Sequence, residues 1–152
     1  MRRAATETPE FARQNRTDRF LTSQAVSNSL MNPNKKVVED FFASTGTEYG
    51  RLLADDVELI EWAEGVPATG VRTLGKAAFI KNRGTREYET RVARMTKEHG
   101  AVVAEGTARG AKKEGGFWRL QFCDVFEIED GKVKRLTSFG NSVQDSGKGL
   151  SA

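Results

Sequence analysis

The sequence has almost none of the residues that hold metal ions or form disulfide bonds. Among 152 residues there is one cysteine, Cys123, and one histidine, His99. A single cysteine cannot form an internal disulfide, and one cysteine with one histidine cannot supply the four ligands of a tetrahedral zinc site. We therefore predict no metal and no other cofactor, and we expect a reducing, cytoplasmic location.

Long hydrophobic runs are absent too, and neither sign of charge dominates. No apolar stretch approaches the roughly 20 residues needed to cross a bilayer, which excludes a membrane-spanning helix. The chain has 24 Lys and Arg residues against 21 Asp and Glu, for a net charge of +3. The basic residues are scattered among the acidic ones, as on a solvated surface, so we predict no nucleic-acid partner.

The two ends of the chain are set apart from a central domain. Residues 1–30 are polar, rich in Ser, Thr, Asn and Arg, and follow neither a helical nor a strand period, so we predict a mobile N-terminal extension. We expect residues 31–143 to form one domain, since Asn32 can cap a helix and Pro33 suits its first position. Residues 144–152 are predicted to be a flexible tail.

The pattern of apolar residues predicts helices first and strands afterwards. Val37, Val38, Phe41 and Phe42 recur at helical spacing. A shorter helix is expected at 48–54, a strand at 55–62, a glycine- and proline-containing loop at 63–75 and a third helix at 75–84. Four strand-like runs follow at 88–98, 101–112, 116–129 and 132–142. This order implies an α+β domain with its helices on one face of an antiparallel sheet.

One strand carries a carboxylate where core residues are expected. With the period of two that a strand imposes, Asp124 shares a face with Trp118, Leu120, Phe122 and Phe126. An ionised carboxylate in apolar surroundings is costly unless it is paired, protonated or beside a cavity, so such positions are candidates for function. The opposite face is mixed in polarity, as in an interface between subunits, and carries Arg119, Gln121, Cys123 and Val125.

Three motifs together resemble those of a known superfamily. They are "ADDVE" after the second helix, "GK" opening the third, and "DVFEIEDGKVKRL" in the last hairpin. Over residues 33–142 the chain resembles nuclear transport factor 2, the SnoaL-like polyketide cyclases and the ketosteroid isomerases. The resemblance implies a cone-shaped fold, in which a curved antiparallel sheet wraps around N-terminal helices and leaves an apolar pocket at its open end. It also implies a homodimer formed through the outer face of the sheet.

The resemblance to ketosteroid isomerases also suggests roles for individual residues. Asp124 matches the aspartate that is kept protonated to donate a hydrogen bond to a developing oxyanion, and Glu61 falls at the place of the general base. The oxyanion-hole tyrosine aligns with Phe41, which has no hydroxyl, so the pattern is incomplete. We expect the residues that contact a small hydrophobic ligand to be aromatic, namely Phe41, Trp62, Trp118, Phe122 and Phe126.

Two functional hypotheses follow from these residues. The first is a small-molecule pocket protein that acts as an isomerase or cyclase, transferring a proton on a hydrophobic carbonyl compound with Glu61 as base and Asp124 as acid. The second is a non-catalytic module of the same fold that binds a ligand or pairs with another subunit, with Asp124 merely hydrogen-bonded within the core.

Overall fold

The computed structural model describes residues 32–143, which form an α+β fold. The predicted N-terminal extension and C-terminal tail lie outside the described residues. In chain order the elements are α1 (Pro33–Ala43), a 3₁₀ helix (Glu48–Leu52), β1 (Leu53–Ala63), β2 (Val71–Leu74), α2 (Lys76–Arg83), β3 (Glu89–Glu98), β4 (Ala101–Ala111), β5 (Phe117–Glu129) and β6 (Lys132–Ser142). The predicted helices and strands are confirmed to within a few residues, and α1 begins at Pro33 as expected.

The six strands form one curved, unclosed sheet in the order β2-β1-β6-β5-β4-β3. Neighbours are antiparallel except for β1 and β6, which run parallel. The register shifts between Val92 and Arg94 and between Glu127 and Ile128, and such irregularities bend strands and help a sheet to curve. The predicted fold class is confirmed, with the addition of one parallel pair.

The short edge strand β2 was not expected. Its four residues lie inside the stretch interpreted as a loop, and they pair with β1 from Glu58 to Glu61. Gly70 and Gly75 bracket the strand with positive φ angles of 74° and 88°. These glycines therefore act as turns at the two ends of a strand, and the loop is shorter than the sequence suggested.

The helices pack on one face of the sheet, here called the inner face, and build the core there. Val38 and Phe41 of α1 are buried against side chains from β1, β4, β5 and β6. The Phe41 ring lies 5.4 Å from the Tyr49 ring and 5.1 Å from the Phe126 ring, both in edge-to-face contact. The strand residues in this core are Leu53, Val57, Leu59, Val102, Ala104, Ala108, Phe122, Phe126, Val133 and Leu136.

Within the described part of the chain, neither α-helix has the length and apolar character needed to cross a membrane. This agrees with the absence of long apolar runs in the sequence.

Candidate functional site

A cavity of about 220 Å³ opens on the inner face between α1, the C-terminal end of α2 and strand β5. One part of its wall is aromatic and consists of Phe41, Phe42, Tyr49, Tyr88, Trp118 and Phe122. Another part is polar or charged and consists of Glu61, Asn82, Arg83, Arg86, Asp124 and Ser138. A concave site that combines aromatic rings with polar groups directed to the same space is typical of sites for small molecules.

The sheet register aligns the two predicted carboxyl groups. Glu61 of β1 lies opposite Ser138 of β6, and Ser138 lies opposite Asp124 of β5. The three residues therefore form one row across neighbouring strands and point to the inner face. Because strands are about 4.8 Å apart, the Cα atoms of Glu61 and Asp124 are separated by about 10 Å. A flat ring can lie between two side chains at that separation.

Asp124 is buried and held by a single hydroxyl. Its exposed fraction is 4%, and its Oδ1 atom accepts a hydrogen bond of 2.6 Å from Ser138 Oγ. Burial raises the pKa of Asp124, while the charge of Arg83 and the hydrogen bond from Ser138 oppose this shift. Burial therefore favours the protonated acid, which can donate a hydrogen bond to a ligand oxygen.

Glu61 lies in a more polar setting on the same cavity. Asn82 Nδ2 donates a hydrogen bond of 3.1 Å to Glu61 Oε2 and approaches Thr73 Oγ1 at 3.2 Å. Asn82 belongs to α2 and Thr73 to β2, so the two elements that follow β1 hold this carboxyl group in place. The structure brings Glu61 and Asp124 to one cavity but surrounds them differently: Glu61 is partly exposed and bonded to an amide, whereas Asp124 is buried and bonded to a hydroxyl.

Three of the five predicted ligand contacts line the cavity: Phe41, Trp118 and Phe122. The ring of Trp118 lies across Gly110 of β4, where a Cβ atom would come within 2.5 Å of the indole. Only a glycine leaves room for the ring in that position. The indole also meets the Tyr88 ring edge-on at 5.5 Å.

Trp62 and Phe126, the other two residues expected to contact a ligand, do not line this cavity. Trp62 follows Glu61 on a regular strand and so points to the opposite, outer face of the sheet, where its ring stacks on Phe139 at 6.4 Å. Phe126 does point inward, but it is fully buried beneath the rings of Phe41 and Phe42. It belongs to the core that supports the cavity.

Sequence reasoning missed two arginines of the cavity wall, Arg83 and Arg86. Arg86 Nη1 donates to the Phe41 carbonyl oxygen at 2.5 Å, and Nη2 donates to Thr90 Oγ1 at 3.2 Å. Its guanidinium also lies 5.1 Å from the centre of the Phe41 ring. The sequence signal was "NRGTRE", which begins in the last turn of the third helix, and basic residues at the end of a helix are usually explained by solvent and the helix dipole.

The C-terminal end of α2 places Arg83 beside the cavity. Gly84 follows it with a φ of 62° and ends the helix, its N–H bonding the carbonyl of Ile80. Tyr49 Oη donates a hydrogen bond of 2.8 Å to the carbonyl oxygen of Gly84. The 3₁₀ helix and α2 are thereby joined at this point, and the backbone that carries Arg83 is fixed.

Several solved structures have a similar fold. A phenazine biosynthesis-related protein from Pseudomonas aeruginosa is 17% identical, with a TM-score of 0.58, over 72% of this chain and 75% of that one. A candidate SnoaL-like polyketide cyclase from Jannaschia sp. CCS1 is 19% identical, with a TM-score of 0.60, over 71% and 85%. An LEH-like epoxide hydrolase from M. tuberculosis is 21% identical, with a TM-score of 0.55, over 71% and 82%. At these identities the similarity shows the fold alone.

Comparison with curated proteins gave no match. The sequence does match the family model described as the SnoaL-like domain, over residues 37–136. That match spans more than half of the 152 residues and includes most of α1, both carboxyl positions and most of the sheet. The chain therefore belongs to the SnoaL-like domain family.

Proposed function

We propose that this protein transfers a proton on a small hydrophobic carbonyl compound, with Glu61 as general base and Asp124 as hydrogen-bonding acid. The observation that carries the proposal is the row formed by Glu61, Ser138 and Asp124, which directs two carboxyl groups with different surroundings into one aromatic cavity. A site that uses one group as acid and another as base needs two titratable groups whose environments give them different pKa values.

The chemistry needs no group beyond these two side chains. Glu61 removes a proton from the carbon next to the carbonyl, and the electron pair of that C–H bond moves to form an enolate. Protonated Asp124 donates a hydrogen bond to the enolate oxygen as its negative charge develops. Glu61, now carrying the proton, returns it to the same carbon or to a conjugated one, and the second outcome is an isomerisation.

Ser138 and Phe41 set limits on this mechanism. Ser138 lies between the two carboxyl groups and hydrogen-bonds Asp124, so it positions the acid. Phe41 supplies a ring to the wall and no hydroxyl to the substrate, and its carbonyl oxygen is already bonded to Arg86. Asp124 is thus the proposed oxyanion donor, and a rate below that of a site with two such donors is expected.

A non-catalytic role is the alternative. The aromatic wall alone supports binding of a flat ligand, and Asp124 has a hydrogen-bond partner within the protein itself, the hydroxyl of Ser138. Under this alternative the protein binds a ring compound and leaves its C–H bonds untouched. The two functions therefore differ in whether a bound ketone exchanges protons with solvent.

Exchange of the C1 protons of 2-tetralone in D₂O, followed by NMR, separates the two functions. The wild type is expected to accelerate the exchange, and Glu61→Gln to reduce the rate by roughly a hundredfold or more. Asp124→Asn should also slow it, by up to about a hundredfold. Glu64→Gln, the same substitution at an exposed residue three positions along the chain, is the matched control.

No acceleration by the wild type, combined with binding of 2-naphthol in calorimetry, would favour the non-catalytic module. A rate that is equal in the Glu61→Gln and Glu64→Gln variants would remove Glu61 from the mechanism, even where some acceleration remains.

We also propose that the outer face of the sheet pairs two copies of the chain. Phe139 is 44% exposed there and stacks on Trp62, with Cys123 and Val125 partly exposed on the neighbouring strand. Stacked aromatic rings among partly exposed apolar and polar side chains resemble the core of a subunit interface. The cavity opens on the inner face, so pairing through the outer face leaves it accessible.

A further inference from the structure

Arg83 has donors that nothing in the described part of the chain satisfies. Its Nε and Nη2 atoms are buried and have no hydrogen-bond partner among the described residues, although the residue lines the cavity. Buried polar atoms are almost always paired, and an unpaired charged donor is especially unfavourable. Such an atom calls for a specific explanation. One explanation is that a bound ligand accepts hydrogen bonds from these donors.

We propose that Arg83 selects ligands that carry a carboxylate, so that the cavity takes a one- or two-ring aromatic acid. This inference deepens the proposed function and rests on it, because the proposed function supplies the other end of the substrate, the carbonyl group. It concerns recognition of the anionic end, which binding experiments test separately from proton transfer.

The unpaired atoms lie on one edge of the guanidinium group. Nε–H and Nη2–H point in the same direction, and this edge fits both oxygens of a carboxylate through two parallel hydrogen bonds. An alcohol or a ketone offers a single acceptor oxygen and leaves one of the two donors unsatisfied. The pair of free atoms on Arg83 therefore matches a planar, two-oxygen anion better than any neutral oxygen group.

The neighbouring arginine shows that the unpaired state is particular to Arg83. Arg86 lines the same cavity, but it bonds the Phe41 carbonyl and the Thr90 hydroxyl and lies over three aromatic rings. Those contacts account for the position of Arg86 without any ligand. Arg83 has a fixed backbone next to Gly84 and no comparable set of contacts for its guanidinium edge.

Neither carboxyl group of the cavity forms a hydrogen bond with Arg83. Asp124 hydrogen-bonds Ser138 and Glu61 hydrogen-bonds Asn82, and no ion pair in residues 32–143 joins Arg83 to either of them. The charge of Arg83 acts on Asp124 through space, but neither of the two guanidinium edge donors is satisfied by a carboxyl group of the cavity. A ligand carboxylate hydrogen-bonded to Nε–H and Nη2–H would satisfy both donors and lie against the positive guanidinium group.

The volume and the aromatic wall of the cavity indicate the size and the ring structure of the rest of the ligand. At about 220 Å³ the cavity is smaller than the roughly 300–1,000 Å³ typical of sites for drug-sized molecules, so one or two rings fill it. The rings of Phe42, Trp118 and Phe122 offer faces and edges for aromatic contact. A bicyclic aromatic carboxylate satisfies both the volume and the charge.

Calorimetry with two ligands of nearly the same shape tests the inference. 2-Naphthoate and 2-acetonaphthone share the same rings and a trigonal substituent, and only the first is an anion. The wild type is expected to bind 2-naphthoate at least about tenfold more tightly than 2-acetonaphthone. Arg83→Gln should abolish that preference while the Kd for 2-acetonaphthone changes by less than about threefold.

Arg51→Gln, which removes an exposed arginine outside the cavity, is the control for loss of one positive charge and should keep the full preference. Retained binding of 2-acetonaphthone shows that the Arg83→Gln cavity is intact. Should Arg83→Gln not fold, Arg83→Met replaces it in the experiment, because methionine keeps much of the aliphatic stem. The comparison of the two ligands on the wild type tests the preference for a carboxylate without any variant.

Equal affinity of the wild type for the two ligands, or a preference that survives in Arg83→Gln, would overturn the assignment. The outcome is independent of catalysis, since 2-tetralone carries no acid group. Loss of exchange with the carboxylate preference retained rejects the proposed function alone, whereas exchange without any preference rejects only the role of Arg83.

Discussion

Replacing Asp124 with asparagine removes the buried ionisable group and keeps nearly the same side-chain shape. Burial raises the pKa of Asp124 above its ordinary value of 3.8, despite the opposing effects of Arg83 and the Ser138 hydrogen bond. The folded protein therefore retains a proton at a pH where the unfolded chain has released it. Because asparagine can still accept the hydrogen bond from Ser138, the substitution isolates the effect of the proton.

The sign and the size of the effect follow from this one proton. Below a pH of 3.8 the carboxyl group is protonated in both states, so wild type and variant respond to pH in parallel. As the pH rises above that value, the unfolded chain loses its proton first, and the free energy of unfolding of the wild type falls relative to Asp124→Asn. The slope is about 1.4 kcal/mol per pH unit until the raised pKa is passed, after which the difference is constant.

Urea unfolding of both proteins from about pH 4 to about pH 8 measures this difference, and the matching change in Tm is roughly 5 °C per pH unit. Glu114→Gln, an exposed residue in the β4–β5 loop, controls for the loss of one negative charge and should follow the wild type throughout. A difference between wild type and Asp124→Asn that stays flat over the whole range, or that grows in favour of the wild type as the pH rises, would refute the argument.

Three further predictions concern the core, the cavity wall and the outer face. Phe126→Ala should lower the free energy of unfolding by about 3–5 kcal/mol in urea titrations, because the ring is fully buried, and Phe122→Leu should mainly weaken 2-naphthol binding. A smaller loss of stability for Phe126→Ala than for Phe122→Leu would contradict the assignment of Phe126 to the core and of Phe122 to the cavity wall. Gly110→Val should weaken 2-naphthol binding in calorimetry, since its Cβ displaces the Trp118 ring, and unchanged affinity would show that the ring does not contact ligands. Light scattering should give twice the chain mass of 16.8 kDa for the wild type and one chain mass for Val125→Asp, and a monomeric wild type would rule out the dimer.

The parts of the fold that the sequence predicted are those with strong local patterns. Strands β3 to β6 alternate clearly and are separated by turn residues, so their order and limits could be predicted. The same alternation put Asp124 on the inner face, where it lies. The parallel pairing of β1 with β6 joins residues almost eighty positions apart, and no local pattern encodes it.

The parts of the candidate site that the sequence missed depend on distant packing. Trp62 looked like a ligand contact because aromatic residues line pockets in proteins of this kind, but the alternation along β1 that turns Glu61 inward turns Trp62 outward. Arg83 and Arg86 lie in a helix end and a connection, which usually face solvent. Contacts of this connection with Phe41 and Tyr49, which are distant in the sequence, help to hold the two arginines at the cavity.

A crystal structure of the wild type with 2-naphthol bound tests the central claim most directly, since this phenol has the planar shape of the enol of 2-tetralone. The proposed mechanism predicts the ring in the cavity between Glu61 and Asp124, with its hydroxyl oxygen about 2.5–3.0 Å from a carboxyl oxygen of Asp124. A ring bound elsewhere, a hydroxyl turned away from Asp124, or an Asp124 side chain ion-paired to Arg83 would contradict the assignment of Asp124 as the acid.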